Sequence, residues 1–300
     1  MSKWVNYTNG NYKVYINLNN GTKIRETDDD YLEAAFPESF DLKICNRCNM
    51  GCSQCHENST PDGQLGDILN AEFINTLHPH TEIAIGGGNP LEYPDLEAFL
   101  WKLKEKQVIP SMTVHQVHLL ENLDFIHYLV DNELIYGLGV SITDVTDELI
   151  DILHDFPNAV CHVIAGVITE NQMNKLAHHN LKILILGYKI FRRGAAHYNK
   201  NMTLVDFLIQ YMYDMLPTMI EEKWFDVISF DNLALEQLNV NRLMSKEEWD
   251  AFYMGGDGQF TMFIDLVKNE FAQSSTSNTR YEFKDTIEEM FEVIKNDSKM

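Results

Sequence analysis

Short alternations of apolar and polar residues open the chain. Tyr12, Val14, Ile16 and Leu18 are separated by polar positions, and the tight-turn dipeptides Asn9-Gly10 and Asn20-Gly21 stand on either side of them. Residues 3–26 therefore read as a small antiparallel meander, followed by a solvated connector at Asp28-Asp-Asp-Tyr-Leu-Glu. From residue 39 the rhythm changes. β-Branched and apolar runs at 39–44, 82–86, 110–115, 135–142, 159–168, 182–187 and 225–230 alternate with helix-spaced segments near 66–78, 94–107, 120–132, 145–155, 169–179 and 201–220. Such alternation builds a parallel sheet with right-handed crossovers, and about six units of it make a partial barrel. Ligands of such sheets sit at the carboxyl ends of the strands.

After residue 230 the text is different again. Asp231 is placed to cap a short helix. Runs at 260–267 and 270–275 read as a hairpin turning at Lys268-Asn269, and Ile287, Met290, Phe291 and Ile294 mark the packing face of a last helix near 284–296. The expected organisation is an α/β chain with a meander and connector at 1–38, a barrel core at 39–230 and an extension of hairpin plus helix at 231–300.

Composition narrows the setting. The chain has 300 residues, 45% of them hydrophobic, enough for one large core. No apolar run reaches the roughly eighteen residues needed to cross a bilayer. The stretch Met1-Ser-Lys-Trp-Val-Asn-Tyr lacks the plan of a signal peptide, so a cytoplasmic protein is expected. Asp plus Glu number 45 against 23 Lys plus Arg, a formal charge of −22. That balance repels polyanions and argues against nucleic acid as a general partner.

The chemistry is concentrated in one place. Four of the 5 cysteines fall in Cys45-Asn-Arg-Cys48-Asn-Met-Gly-Cys52-Ser-Gln-Cys55, and Cys161 stands apart in an apolar run. Thiolates this close can each meet a different iron of one iron–sulfur cube. Cys48, Cys52 and Cys55 would leave one iron of a 4Fe–4S cluster without a protein ligand, open to a small molecule. The alternative is zinc, although structural zinc commonly joins two knuckles across a longer insert. A disulfide framework does not suit a long, cysteine-poor chain with no secretory signal. Cys45 reads as a buried strand-end thiol or a spare ligand, and Cys161 as a core residue.

Cys48-Asn-Met-Gly-Cys52-Ser-Gln-Cys55 resembles the cluster loop of the radical S-adenosylmethionine (radical SAM) superfamily, with the strand-like run at 40–44 just before it. A second motif, Ile83-Ala-Ile-Gly86-Gly87-Gly88-Asn89-Pro90, resembles that family's glycine-rich strand end, which usually reads Gly-Gly-Glu-Pro and contacts the SAM amino group. Two departures stand out. Asn89 replaces the usual glutamate, and Gln54 replaces the usual aromatic residue before the last cysteine. An amide carbonyl still accepts a hydrogen bond, without the charge. The resemblance spans roughly residues 39–230. It implies a partial (β/α)6 barrel, a 4Fe–4S cluster on Cys48, Cys52 and Cys55, and SAM held by Gly87, Gly88, Asn89 and Pro90. Ser141 at the fourth strand end would contact the SAM carboxylate or ribose, and Gly166 at the fifth would let the adenine approach the backbone or mark a bulge. It also implies reductive cleavage of SAM to a 5′-deoxyadenosyl radical that takes hydrogen from a substrate, with an electron donor such as flavodoxin or ferredoxin.

The substrate end is less constrained. His115, after the third strand, is either a substrate-facing residue or an ordinary surface histidine. Lys189, Arg192 and Arg193 bring three cations to the sixth strand end, where they fit a substrate or SAM carboxylate, or else pair with acidic neighbours. A peptide or protein is the preferred substrate, because the meander and hairpin offer edge strands. A small carboxylated metabolite or nucleoside is the alternative, motivated by the three cations. No second cysteine cluster follows Cys55, so auxiliary clusters are not expected. A zinc-stabilised binding protein, or an inactive relative signalled by Asn89 and Gln54, are the rivals from other classes.

Overall fold

The computed structural model describes residues 3–297; Met1 and Ser2 of the amino-terminal stretch, and Ser298 to Met300, lie outside the described residues. The early alternation forms β1 (Trp4–Asn9), β2 (Tyr12–Asn17) and β3 (Lys23–Glu26), paired antiparallel in the order β1-β2-β3. Tyr12, Val14 and Ile16 are buried beneath the meander, as the alternation requires.

The core is a single ten-stranded sheet in the order β10-β9-β8-β7-β6-β5-β4-β11-β12-β13. It contains β4 (Ser39–Cys45), β5 (Glu82–Gly87), β6 (Ile109–His115), β7 (Gly137–Ser141), β8 (Ala159–Ile164), β9 (Lys182–Leu186) and β10 (Val227–Phe230), all parallel to their neighbours. β11 (Thr261–Asp265) joins β4 in parallel, and β12 (Glu270–Ala272) and β13 (Tyr281–Glu282) follow antiparallel. The helices are α1 (Leu96–Glu105), α2 (Gln116–Glu121), α3 (Leu123–Asp131), α4 (Asp147–His154), α5 (Glu170–Leu176), α6 (Arg193–Glu221), α7 (Asn232–Gln237), α8 (Lys246–Phe252) and α9 (Ile287–Asp297). None of them is long and apolar enough to cross a membrane, among the described residues.

One face of the sheet carries the helices. Phe40, Leu42, Ile44, Ile83, Ile85, Met112, Val114, Leu138, Val140, Cys161, Val163, Ile183 and Ile185 lie on it, none more than 2% exposed, and share one core with α1 and α3 to α6. Cys161 is thus the expected core residue. The alternate positions Asp41, Ala84, Ser111, Thr113, Ser141 and His162 face the other way and stay accessible. A period of two along each strand separates the structural face from a polar one.

The meander docks at the amino ends of the strands. Glu38, with no exposed surface, receives Lys23 at 3.1 Å and Arg25 at 2.8 Å and accepts a 2.6 Å hydrogen bond from Tyr12 Oη. Lys23 also pairs with Glu82 at the start of β5. The meander therefore sits opposite the strand ends that carry the motifs, and its edges are remote from them.

Several expectations need correction. No α-helix forms over 66–78; a single 3-10 turn spans Glu72–Thr76, and Asp67 instead binds the Asn70 amide in a local turn. The 120–132 helix is two, α2 and α3, meeting at Asn122, whose φ of −133° is not helical. The 159–168 strand stops at Ile164, before Gly166 turns to φ +85°. The helix expected over 201–220 starts eight residues earlier, at Arg193, across a kink at Asn201. The terminal hairpin forms, but β11 also extends the main sheet, and α8 has no counterpart in the sequence reading.

Candidate functional site

The site grows from the carboxyl end of β4. Cys45 ends that strand fully buried, and its Sγ donates toward the Asn89 carbonyl at 3.4 Å. Burial pushes this thiol up to about 11. Its thiol points into the β5 terminus.

The loop that follows is held along both sides. Asn46 N donates to Gln64 O at 2.7 Å and Cys48 N to Thr60 O at 2.9 Å, so the outgoing and returning strands of the loop clasp each other. Two successive turns, Cys55 N to Cys52 O and Asn58 N to Cys55 O, carry the other cysteines round. Cys48, Cys52 and Cys55 are free and half-buried. Burial pushes the Cys48 and Cys52 thiols up, and the neighbouring cysteines push them further, while Arg193 pulls both down. The three sulfurs are thus electrostatic neighbours on one loop. Among the described residues no three His, Cys, Asp or Glu side chains draw in around a single-ion position. A cube spreads its thiolates over separate irons. The donor set, three thiols with a cation beside them, suits the cube.

The glycine run lies against this loop. Gly88 N donates to Cys45 O at 2.9 Å and Asn89 N to Arg47 O at 2.7 Å. A Cβ on Gly88 would fall 2.1 Å from Arg47 O, and one on Gly87 2.4 Å from Cys45 O, so only glycine permits the approach. Asn89 is 5% exposed and busy locally: its Oδ1 accepts from Leu91 N at 3.3 Å and its Nδ2 donates to Glu92 Oε1 at 3.2 Å. Pro90 is buried at the start of the 3-10 turn Pro90–Glu92. The carboxylate absent at position 89 is present three residues on, as Glu92.

Other candidates separate on inspection. His115 caps α2, its Nδ1 accepting from Val117 N at 3.2 Å, so Nε2 carries the proton and faces Thr143 Oγ1 at 3.2 Å. Burial pushes it down to about 4. It is His118, 2% exposed, that reaches the cysteine loop, meeting Asn49 Oδ1 at 2.9 Å. Ser141 ends β7 in register with His115 and His162. Gly166 lies in the turn after β8, and its side-chain direction is filled by Val205 and Ile209 of α6 and by Tyr188.

The three cations are all engaged. Arg192 pairs with Glu57 Oε2 at 3.3 Å, Arg193 donates to Ser59 O at 2.8 Å, and Lys189 donates to Ser275 Oγ at 3.1 Å. Pairing with neighbours is what the structure shows for Arg192. Glu57, two residues past Cys55, also binds Lys43 at 2.8 Å, and Lys43 meets Asp265 at 3.2 Å. This buried network ties the cysteine loop to β4, β11 and α6. Its members lie 14 to 222 residues apart in the chain, and only the place of Glu57 beside the last cysteine hinted at it.

No protein-family model matches the sequence. No curated protein matches it either. Solved structures do match. SuiB of Streptococcus suis bound to the precursor peptide SuiA gives a TM-score of 0.61 over 96% of this chain and 87% of that one, at 12% identity. SuiB bound to S-adenosylmethionine gives 0.58 over 96% and 86%, at 11% identity. A third SuiB structure gives 0.55 over 96% and 85%, also at 11%. At such identity the likeness is one of fold, and it covers most of the length of both chains.

Proposed function

We propose that this chain is a radical SAM enzyme acting on a peptide or protein. The observation that carries the proposal is the pairing of a three-thiol loop with a glycine-rich strand end at adjacent carboxyl termini of β4 and β5, on a fold shared with SuiB. The open ten-stranded sheet is read as the partial (β/α)6 barrel of that superfamily with β11 to β13 added at one edge. Cys48, Cys52 and Cys55 would hold a 4Fe–4S cluster, which supplies the electron for reductive cleavage of SAM to a 5′-deoxyadenosyl radical.

The chain's own residues have defined tasks. Gly87 and Gly88 let the backbone of the SAM site close on the cysteine loop, and Asn89 and Pro90 shape the turn beyond. Ser141 and the backbone of Gly166 are assigned to the same ligand. His118 and Glu57 fix the loop from either side, and Arg193 sets a positive charge beside the thiols. A peptide substrate is favoured because SuiB has been captured with SuiA, and because the cations that motivated a carboxylated metabolite have partners already. The electron would come from a donor such as flavodoxin or ferredoxin, in the cytoplasm.

The test is anaerobic reconstitution with iron and sulfide, then dithionite and SAM, with 5′-deoxyadenosine measured by chromatography. Wild type and Cys45→Ala should form the nucleoside and Cys52→Ala should not. Its absence from wild type would overturn the proposal.

A further inference from the structure

α8 is a helix with no core to rest on. None of its 7 residues, Lys246–Phe252, is buried. A helix that short is unstable in water unless its apolar face packs against something. Local bonds define it: Ser245 Oγ accepts from Glu248 N at 3.2 Å, and Glu248 Oε2 accepts from Ser245 N at 2.8 Å. The Trp249 and Tyr253 rings stack on each other with their centroids 4.9 Å apart. None of these contacts covers the apolar side chains. Phe252 is 72% exposed and Met254 44%, and Tyr253 is exposed with them. Single exposed apolar residues are ordinary, whereas several adjoining ones on one short element mark a surface made for contact.

The segment that carries α8 begins and ends beside the polar face of the sheet. It leaves from α7, whose cap Asp231 also accepts from Gly187 N, at the end of β9, at 2.9 Å. It returns at Asp257, which accepts from Asn232 Nδ2 at 2.6 Å and is an electrostatic neighbour of Asp231 and Asp41. The chain leaving β10 thus meets the chain entering β11, although six strands lie between the two in the sheet. Gly255 and Gly258 take φ of +103° and +81° on the way back, and Arg25 donates to Met254 O at 3.1 Å. The α8 patch is therefore tethered at both ends and turned to solvent.

Charge selects what can cover it. Between 236 and 257 five acidic side chains, Glu236, Glu247, Glu248, Asp250 and Asp257, stand against Arg242 and Lys246. Both cations are engaged: Lys246 pairs with Asp250, and Arg242 lies 3.7 Å from the centre of the Tyr213 ring and donates to Tyr213 O at 2.6 Å. The segment therefore carries an excess of negative charge around an apolar patch. Anionic lipid headgroups are repelled by such a surface. A second copy brings the same acids and its own formal charge of −22. A segment that presents apolar side chains together with Lys or Arg complements both features.

We infer that the α8 face docks a basic amphipathic segment of a peptide or protein partner. Phe252, Tyr253 and Met254 bury its apolar side chains, and Glu247 and the neighbouring acids face its cations. That this partner is the substrate rests on the proposed function; the docking itself does not, because it needs neither SAM nor the cluster.

Fluorescence anisotropy of labelled peptides added to the full chain tests the docking. The probe is fluorescein-Leu-Lys-Lys-Leu-Leu-Lys-Leu-Leu-Lys-Lys-Leu-Leu-Lys-Leu-amide; one analogue carries Glu for every Lys, and another Ser for every Leu. The basic amphipathic peptide should bind about tenfold or more tighter than either analogue, the scale of burying one aromatic side chain. In Phe252→Ser the preference over the serine analogue should fall to about twofold, and Met254→Ser reports on the same face if that variant does not fold. High salt should weaken the binding. Equal binding of either analogue, or a preference that survives in both variants, would overturn the inference. So would binding to phosphatidylcholine vesicles, or dimerisation in sedimentation, that wild type shows and Phe252→Ser loses, since the face would then belong to lipid or to a second copy. If wild type forms 5′-deoxyadenosine from SAM but shows no peptide preference, this inference alone fails; if the peptide docks and no nucleoside forms, the functional proposal alone fails.

Discussion

Removing Glu57 should loosen the cysteine loop without dismantling the sheet. The side chain is 8% exposed and bridges Lys43, 3% exposed, at 2.8 Å and Arg192 at 3.3 Å. In Glu57→Ala, Lys43 keeps Asp265, at 3.2 Å, as its ion-pair partner among the described residues, and Arg192 keeps the position 57 carbonyl and the Phe191 ring. Breaking a buried pair by deleting one partner costs about 3–5 kcal/mol, because the other charge stays buried. Asp265 still offsets part of the Lys43 charge, so the low end, about 3 kcal/mol, is expected. That is a large share of the roughly 5–15 kcal/mol that holds a domain together. Urea unfolding of the apoprotein reads the total, and hydrogen exchange of amides 46–64 shows whether the loss falls on the loop. A double-mutant cycle with Lys43→Met should return a coupling of about 1–3 kcal/mol. A cost below about 1 kcal/mol, typical of exposed pairs, or protection lost evenly across the sheet, would refute the anchoring role.

Three further outcomes follow from the same structure. Burial alone would raise Glu38, but Lys23 and Arg25 outweigh it and hold the carboxyl below its ordinary 4.5. Its folded value is the lower one, so the stability it contributes is full above about pH 4.5 and is lost as the pH falls through the folded value. Hydrogen exchange of β2 should accelerate over that acid range in wild type and lose this pH dependence in Glu38→Gln; an unchanged profile would count against the ion cluster as the meander's anchor. Gly88→Ala should cost about 1–3 kcal/mol through overpacking against Arg47 O and reduce iron bound on reconstitution, which iron analysis with circular dichroism checks. Cys45→Ala should retain full iron, since its thiol faces the Asn89 carbonyl, and a loss equal to that of Cys48→Ala would show it to be a ligand.

What could be read from residues alone was local. Strand and helix spacing marks β4 to β10 because each run buries its alternate side chains under its own crossover. The terminal hairpin shows through Lys268-Asn269, where Asn269 does take φ +55°. The cysteine loop is legible because its three cysteines are neighbours in sequence. The failures are long-range. Parallel pairing of β11 with β4 joins residues more than 200 apart, and nothing in either strand announces the partner. Pairing of Arg192 with an acidic neighbour is one of the two readings its sequence allows, but Glu57 as that partner is hidden by the 135 residues between them. The contact of His118 with the cysteine loop is not legible in the sequence, because it depends on a helix start at Gln116 that makes His115 a cap and aims His118 at Asn49. The 66–78 segment has helical spacing, yet the Asp67–Asn70 turn leaves room for only one short turn of helix.

The most direct measurement is the iron content and electron paramagnetic resonance spectrum of the dithionite-reduced protein, with and without SAM, in wild type and in Cys48→Ala, Cys52→Ala and Cys55→Ala. Wild type should bind about four irons per chain and give a reduced-cluster signal that SAM alters through the iron lacking a protein ligand, with all three variants losing it. One zinc per chain, or a signal indifferent to SAM, would contradict the assignment of the three-thiol loop to radical SAM chemistry.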